Sequence, residues 1–178
     1  MSVFWSKGYA ATSTDDLVRA MKIGRQSMYD TFGDKRRLYV EALQQYQLAS
    51  VAGHIKRLRS TASPMAGIEA LVVGLISGDR ATREKGCMAV GAVCEFGNGD
   101  ADLAELHMQS DRLLYEALVE RLREAQAAGE IGNAVDLRLA ARFIQTTMVG
   151  LQVAAKAGES ARTLRETAVF VIERLKSR

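Results

Sequence analysis

Pro64 is the single proline in 178 residues, and around it the chain repeats one pattern: a capping side chain, an apolar stripe at helical spacing, then a glycine break. Proline is the residue a helix interior tolerates least. Its near-absence beside abundant Ala, Leu, Arg and Glu argues for an all-α protein. The length allows one or two domains with a sizeable core.

The stripes are short at the start and long afterwards. Phe4 and Trp5 end a brief apolar opening that Gly8 and Tyr9 break. Ser13 or Thr14 caps the next helix, with Asp15 and Asp16 in its first turn, where carboxylates suit the positive dipole end. Leu17, Val18 and Met21 form its buried face. Gly24 permits a tight turn, and a second short helix runs over residues 25–31. Two short helices joined by a few residues that include glycine outline a helix-turn-helix. Asp34 caps a long helix to about Leu58, with Leu38, Ala42, Leu43, Tyr46 and Ala49 inward. Ser63-Pro64 marks another start, cap then proline at the first helical position. A polar loop spans residues 78–86, and a nearly uncharged segment fills 87–96. Asp100 caps a helix to about Ala128, and two more helices cover residues 136–157 and 160–175. Leu139, Phe143, Ile144, Thr147, Met148 and Leu151 mark the inner stripe of the first of these two.

Both C-terminal helices are apolar on more than one side. Leu137, Ala141 and Ala155 give the first a second face, and Val169 and Phe170 do so for the last. Gly150, Ala154 and Ala155 would allow close helix approach. A helix apolar all round is buried on both sides, by a second subunit or by a central place in one. A homodimer is the simpler arrangement in a chain this small.

Charge is uneven. Residues 1–60 hold 10 Lys/Arg against 5 Asp/Glu, and residues 61–178 hold 14 against 16. A basic excess around a helix-turn-helix favours a polyanion through counterion release. No apolar run reaches the roughly 20 residues that span a bilayer, and the N-terminus has no basic segment leading an apolar core. A cytoplasmic protein without a membrane partner is expected. His54 and His107 fit no metal-ligand spacing, and no nucleophile, phosphate-loop or zinc motif occurs, so neither catalysis, metal nor cofactor is expected. Cys87 and Cys94, two turns or about 10 Å apart on one helix, are too distant for a disulfide. Buried core thiols are the plain reading and a redox sensor the alternative.

Gly8-Tyr9-Ala10-Ala11-Thr12-Ser13, then Asp16-Leu17-Val18, Gly24 through Phe32, Asp34-Lys35 and Leu38 resemble the DNA-binding region of the tetracycline-repressor (TetR) family of bacterial regulators. Tyr29, Phe32, Lys35 and Leu38 are the specific part of that pattern. Gly86-Cys87-Met88 and Cys94-Glu95 resemble one subgroup, and the rest is similar in helix number and spacing. The resemblance implies a DNA-binding domain over residues 1–38 and a helical ligand-binding and dimerisation bundle over 39–178. Arg25, Gln26 and Ser27 would face base edges in the major groove. Tyr29 and Thr31 would reach phosphates or a base edge. Ser13 and Thr14 would clamp a phosphate at a helix N-terminus, and Lys35 would hold another. The partner implied is a palindromic double-stranded operator. The family's first helix is longer than Met1 to Lys7, so the expectation is a loosened DNA-binding unit on an intact ligand-binding body.

By the same resemblance, the helices after the DNA-binding region enclose an effector pocket. Leu58, Ile68, Val72, Leu75, Met88, Phe96, Leu106, Leu114, Phe143 and Thr147 are its candidate lining, with Glu95 and His107 as polar anchors. Their character suits a small apolar or amphipathic molecule. A ligand-responsive regulator, most simply a repressor, is the leading expectation. A helical binding protein without DNA activity is the alternative, and an enzyme the third.

Overall fold

The computed structural model describes residues 1–176 as ten α-helices. They are α1 (Ser2–Lys7), α2 (Thr14–Met21), α3 (Arg25–Phe32), α4 (Lys35–Leu58), α5 (Pro64–Val73), α6 (Arg80–Lys85), α7 (Met88–Phe96), α8 (Ala101–Ala127), α9 (Leu137–Lys156) and α10 (Ala161–Glu173). The expected caps Ser13, Asp34, Ser63 and Asp100 carry out their roles, and Asp136 and Ser160, expected only as helix starts, act as caps too. Ser13, Ser63, Asp136 and Ser160 each accept a backbone N–H of the helix they precede, and Pro64 stands at the first position of α5. Asp34 accepts from Arg37 N at 2.8 Å and Asp100 from Leu103 N at 3.3 Å.

The polar stretch 78–86 is not all loop, since α6 lies within it. Asp79 accepts from Thr82 N at 2.7 Å, and Arg80 pairs with Glu84 one turn on. No residue of α6 is buried, so no apolar stripe announces it.

Two compact units form, and their boundaries cut across α4 and α8. The first holds Met1–Ala49 with Cys87–Gln109, and the second holds Ser50–Gly86 with the chain from Ser110 onward. The first compact unit therefore reaches beyond residues 1–38, taking in the first half of α4, all of α7 and the start of α8. Its core is Phe4, Leu17, Met28, Leu38, Tyr39, Leu43, Met88, Ala92 and Leu103. Seven of the chain's eleven aromatic residues gather there. Tyr39 meets Phe4 edge-on at 5.0 Å, Trp5 meets Tyr46 at 5.1 Å, and Tyr9 lies 5.3 Å from Phe96. The six-residue α1, too short to persist alone, is thus held by its aromatic side chains. Tyr39 and Gln47, not foreseen, are buried on α4, whereas Ala49 is exposed. Cys94 is also exposed and Cys87 half-buried, so the pair are not both core thiols. Tyr46 Oη hydrogen-bonds Cys87 Sγ at 3.6 Å, and burial pushes that phenol well above its usual range.

The second unit packs α5, the C-terminal halves of α4 and α8, and helices α9 and α10 around Leu58, Ile68, Leu71, Val72, Leu118, Leu122, Ile144 and Ile172. The inner face of α9 is turned to one side of the sequence expectation: Ile144, Met148 and Leu151 are buried as expected, but Leu139 and Phe143 are not. Ala140, Ala141, Ile144, Met148, Leu151 and Ala155 point inward, while Leu139, Phe143, Val149 and Val153 are exposed. Ala141 and Ala155, expected against a partner, are buried in the subunit's own core, because small residues let α9 sit close to its neighbours. On α10, Leu164, Ala168 and Ile172 face in, and Val169 and Phe170 face out. On α8, Leu113 is also exposed.

His54 of α4 ties its state to packing. Ser50 Oγ lies 3.1 Å from Nε2 and Arg57 Nη1 3.4 Å from Nδ1. A guanidinium only donates, so Nδ1 accepts and Nε2 carries the proton towards Ser50. Burial first, and the Arg57 charge second, lower the imidazole pKa to about 4. The unfolded chain then binds a proton below pH ~6.5 that the folded chain refuses until about pH 4. The stability contributed by this neutral imidazole is complete above that window and lost as pH falls through it, about 1–3 kcal/mol after allowance for partial exposure. His54→Gln is expected to lose less stability than the native chain between pH 7 and 4.5 in chemical denaturation. Equal losses would show that another group governs the acid limb.

Candidate DNA-binding site

The site grows from one buried pair. Leu17 of α2 and Met28 of α3 are 3% and 0% exposed and lock the two short helices together. With Met28 inward, helical geometry turns Arg25, Gln26, Ser27, Tyr29 and Thr31 outward, and all five are exposed. The turn between the helices departs from expectation. Its left-handed residue is Lys22, at φ 57°. Gly24 is extended, with open space where a Cβ would sit, and acts as the N-cap of α3.

The N-terminus of α2 is closed by a capping box. Ser13 Oγ accepts from Asp16 N at 3.1 Å, and Asp16 Oδ2 accepts from Ser13 N at 3.0 Å. Lys7 Nζ lies 2.9 Å from Asp16 Oδ1. That partner, with the Ser13 bonds, lowers the Asp16 pKa to about 2. Ser13 keeps its hydroxyl proton to donate, because its oxygen acts only as acceptor in the box. Thr14 follows, half-buried, at the first helical position. Lys35, also half-buried, holds Nζ 4.2 Å above the Tyr9 ring, a cation–π contact that fixes the head of α4.

Residues that sequence reasoning assigned elsewhere or passed over complete the arrangement. Glu95, expected as a ligand anchor, is occupied by backbone. Its carboxylate accepts from Tyr9 N at 2.9 Å and Ala10 N at 2.6 Å, bracing the turn that leads into α2. Gly8 is required there, at φ 78° and with the site of a Cβ 3.1 Å from Glu95 Oε2. Arg36 grips Asp100 through Nε and Nη2 at 3.1 and 2.8 Å and reaches Asp102 at 2.7 Å. Asp15 takes Arg25, with Nη2 at 2.7 Å. Asp30 takes Gln26 Nε2 at 2.8 Å. The last pair has helical i,i+4 spacing and was legible; the others join distant positions.

The expected pocket residues do not form one set. Leu58, Ile68, Val72 and Leu114 lie in the core of the second unit, with Leu75 packed against it. Met88 lies in the core of the first, with Phe96 and Leu106 beside it. Phe143 is 45% exposed and Thr147 half-buried. His107 does line a cavity in the first unit, of about 70 Å³, with Leu43, Gln47, Ala92, Val93 and Met108. That volume falls well short of the ~300 Å³ of ordinary small-molecule sites.

This geometry meets its counterparts in known proteins. Residues 1–42 match the family described as bacterial regulatory proteins, tetR family, and residues 64–170 match the tetracyclin repressor-like C-terminal domain. The chain belongs to the TetR family of DNA-binding transcriptional regulators. The HTH-type transcriptional regulator YezE of Bacillus subtilis is 30% identical over 158 residues, covering 88% of this regulator and 81% of that protein. The HTH-type transcriptional repressor ComR of Escherichia coli is 27% identical over 176 residues, covering 94% and 81%. Among solved structures, a cysteine mutant of the TetR-family regulator CifR, complexed with 26-bp double-strand operator DNA, is 25% identical with a TM-score of 0.80, covering 96% of this regulator and 90% of that chain. Escherichia coli NemR in its reduced form shares the fold at a TM-score of 0.83 and 16% identity, covering 99% and 92%. No helix among the described residues of the regulator is long and apolar enough to cross a membrane.

Proposed function

We propose that this regulator is a homodimeric repressor that binds a palindromic operator through α3 and leaves it when a small apolar or amphipathic effector binds. The row of exposed polar side chains on α3, set over buried Met28, carries this reading. Arg to guanine and Gln to adenine are favourable major-groove pairings, each worth about 1–3 kcal/mol of discrimination. Ser13, Thr14, Tyr29, Thr31 and Lys35 serve the phosphates around them. CifR, similar in fold along nearly its whole length, was solved on operator DNA.

Dimerisation follows from the uncovered apolar faces of α9 and α10. Leu139, Phe143, Val149, Val153, Val169 and Phe170 are all more than a third exposed. Gly150, with open space around it, sits among them, and Leu137 and Ala154 flank them half-buried. An apolar surface of this kind marks an interface. A two-fold pair of α3 helices needs half-sites about 34–36 Å apart, and an effector that changes this spacing releases the operator.

A gel-shift with the intergenic DNA beside the regulator's own gene tests the proposal. Lys35→Ala is expected to weaken binding to all sequences and to reduce the log affinity–log salt slope by about 1. Gln26→Ala is expected to relax preference at one base pair. Unchanged affinity of Lys35→Ala for every duplex would refute the docking. Failure of the native protein to shift any duplex would favour a helical binding protein without DNA activity.

A further inference from the structure

We infer that Asp15 and Asp30 are positioning residues that hold the two base-reading side chains and set sequence specificity by suppressing non-specific phosphate binding. The inference rests on the DNA-binding reading above. Its observation is that Arg25 and Gln26, the two readers at the head of α3, are each held by a carboxylate. Asp15 Oδ1 accepts from Arg25 Nη2 at 2.7 Å and Nε at 3.3 Å. Asp30 Oδ1 accepts from Gln26 Nε2 at 2.8 Å. Both acids are exposed, as are both readers.

Donor accounting shows what is left for DNA. A guanidinium has five N–H groups. With Nε and one proton of Nη2 given to Asp15, Nη1 and the second Nη2 proton remain, which is the end-on fork that guanine O6 and N7 accept. Gln26 keeps its carbonyl and its second amide proton, the pair that adenine N6 and N7 require. Each acid therefore leaves its partner enough free donors and acceptors for the base pairing.

Charge supports the same role. The chain's basic excess lies outside the helix pair itself. Residues 14–32 hold Arg19, Lys22 and Arg25 against Asp15, Asp16 and Asp30, a balance of zero. An untethered arginine beside a duplex binds any phosphate, and that contact carries no sequence information. A carboxylate partner cancels the attraction and repels phosphates itself, so a wrong sequence gains little from Arg25.

The test compares the native full chain with Asp15→Asn, Asp30→Asn, Arg25→Ala and Asp15→Asn/Arg25→Ala. Glu116→Gln, an exposed acid paired with Arg112 in the other compact unit, controls for net charge. Selection from a random 26-bp duplex pool gives the preferred sequence, and titration of unselected pool DNA at several salt concentrations gives the non-specific slope. Asp15→Asn is expected to raise non-specific affinity about 3- to 10-fold and steepen the salt slope by about 1. It should also flatten preference at the guanine assigned to Arg25, and Asp30→Asn should do so at the adenine assigned to Gln26. In the Arg25→Ala background the Asp15→Asn loss of base preference should vanish and its rise in non-specific affinity should shrink to that of removing the Asp15 charge alone, which mere loss of helix stability would not produce. If the native chain enriches a sequence but Asp15→Asn and Asp30→Asn match Glu116→Gln in preference and slope, the inference is overturned and the DNA-binding reading stands. If the native chain enriches nothing, that reading falls and takes the inference with it.

Discussion

Gly67→Ala is expected to destabilise the second unit by about 3 kcal/mol or more, although the same exchange in an ordinary helix interior gains up to about 1 kcal/mol. The sign reverses because α5 crosses the end of α4 with no room for a side chain. A Cβ on Gly67 would overlap the carbonyl oxygen of Leu58 and stand 3.2 Å from its carbonyl carbon and 3.3 Å from Arg121 Nε. Backbone cannot rotate aside as a flexible side chain can. Leu58 is itself fully buried, and Arg121 donates through Nη2 to the carbonyls of Thr61 and Ser63 at 2.6 and 3.2 Å, fixing the connection between the helices. Relief requires α5 to move, which opens the packing of Met65, Ile68 and Leu71. Thermal melting should show a loss of about 6–12 °C for a chain of this size. Gly91→Ala, on α7 with open space at its Cβ, is the matched control and should gain about 0.5–1 kcal/mol. Melting of Gly67→Ala at or above the native temperature would disprove the close approach.

Glu95→Ala should carry the other large effect, this time on DNA affinity. One carboxylate accepts two successive backbone N–H groups, from Tyr9 and Ala10, 86 and 85 residues away in sequence. Hydrogen bonds to a charged group contribute about 1.5–3 kcal/mol each. Exposure of this side chain reduces the pair to about 2 kcal/mol in total. The turn they hold leads through buried Thr12 to Ser13 and the N-terminus of α2. Releasing it misplaces the N-terminus of that helix, to which phosphate contact is proposed above, and operator affinity should fall about tenfold or more. Glu95→Gln keeps one acceptor and should lie between the two. A Glu95→Ala protein with native affinity and native melting would leave the turn held by its aromatic contacts alone.

How far the sequence could be read follows from the range of each interaction. Helix caps such as Ser13, Asp34 and Ser63 act within three residues, and each was legible. The exposed row on α3 follows from burying Met28, a consequence of 3.6-residue periodicity. Glu95 was misassigned as a ligand anchor because its partners are backbone groups more than 80 residues off, which no side-chain pattern encodes. The pairing of Arg25 with Asp15 was equally hidden. On α9 the stripe was right at Ile144, Met148 and Leu151 and wrong at Leu139 and Phe143, for a different reason. Leu139 and Phe143 are larger and more apolar than Ala141 and Ala155, and hydrophobicity ranks them as core. Close helix packing selects the small residues instead, and it leaves the large ones outside.

By itself, then, the sequence determined an all-helical chain, the limits of most helices, and a helix-turn-helix with Arg25, Gln26 and Ser27 at the head of its second helix. These are local properties, set by caps, periodicity and a short buried seam. Tertiary structure alone decided which residues on the flanks of α9 are inside, that α7 and the start of α8 belong to the same compact unit as the DNA-binding helices, and that carboxylates hold Arg25 and the Tyr9 turn. Those outcomes depend on contacts between distant segments, whose partners are chosen by shape and by unsatisfied donors after the helices have formed.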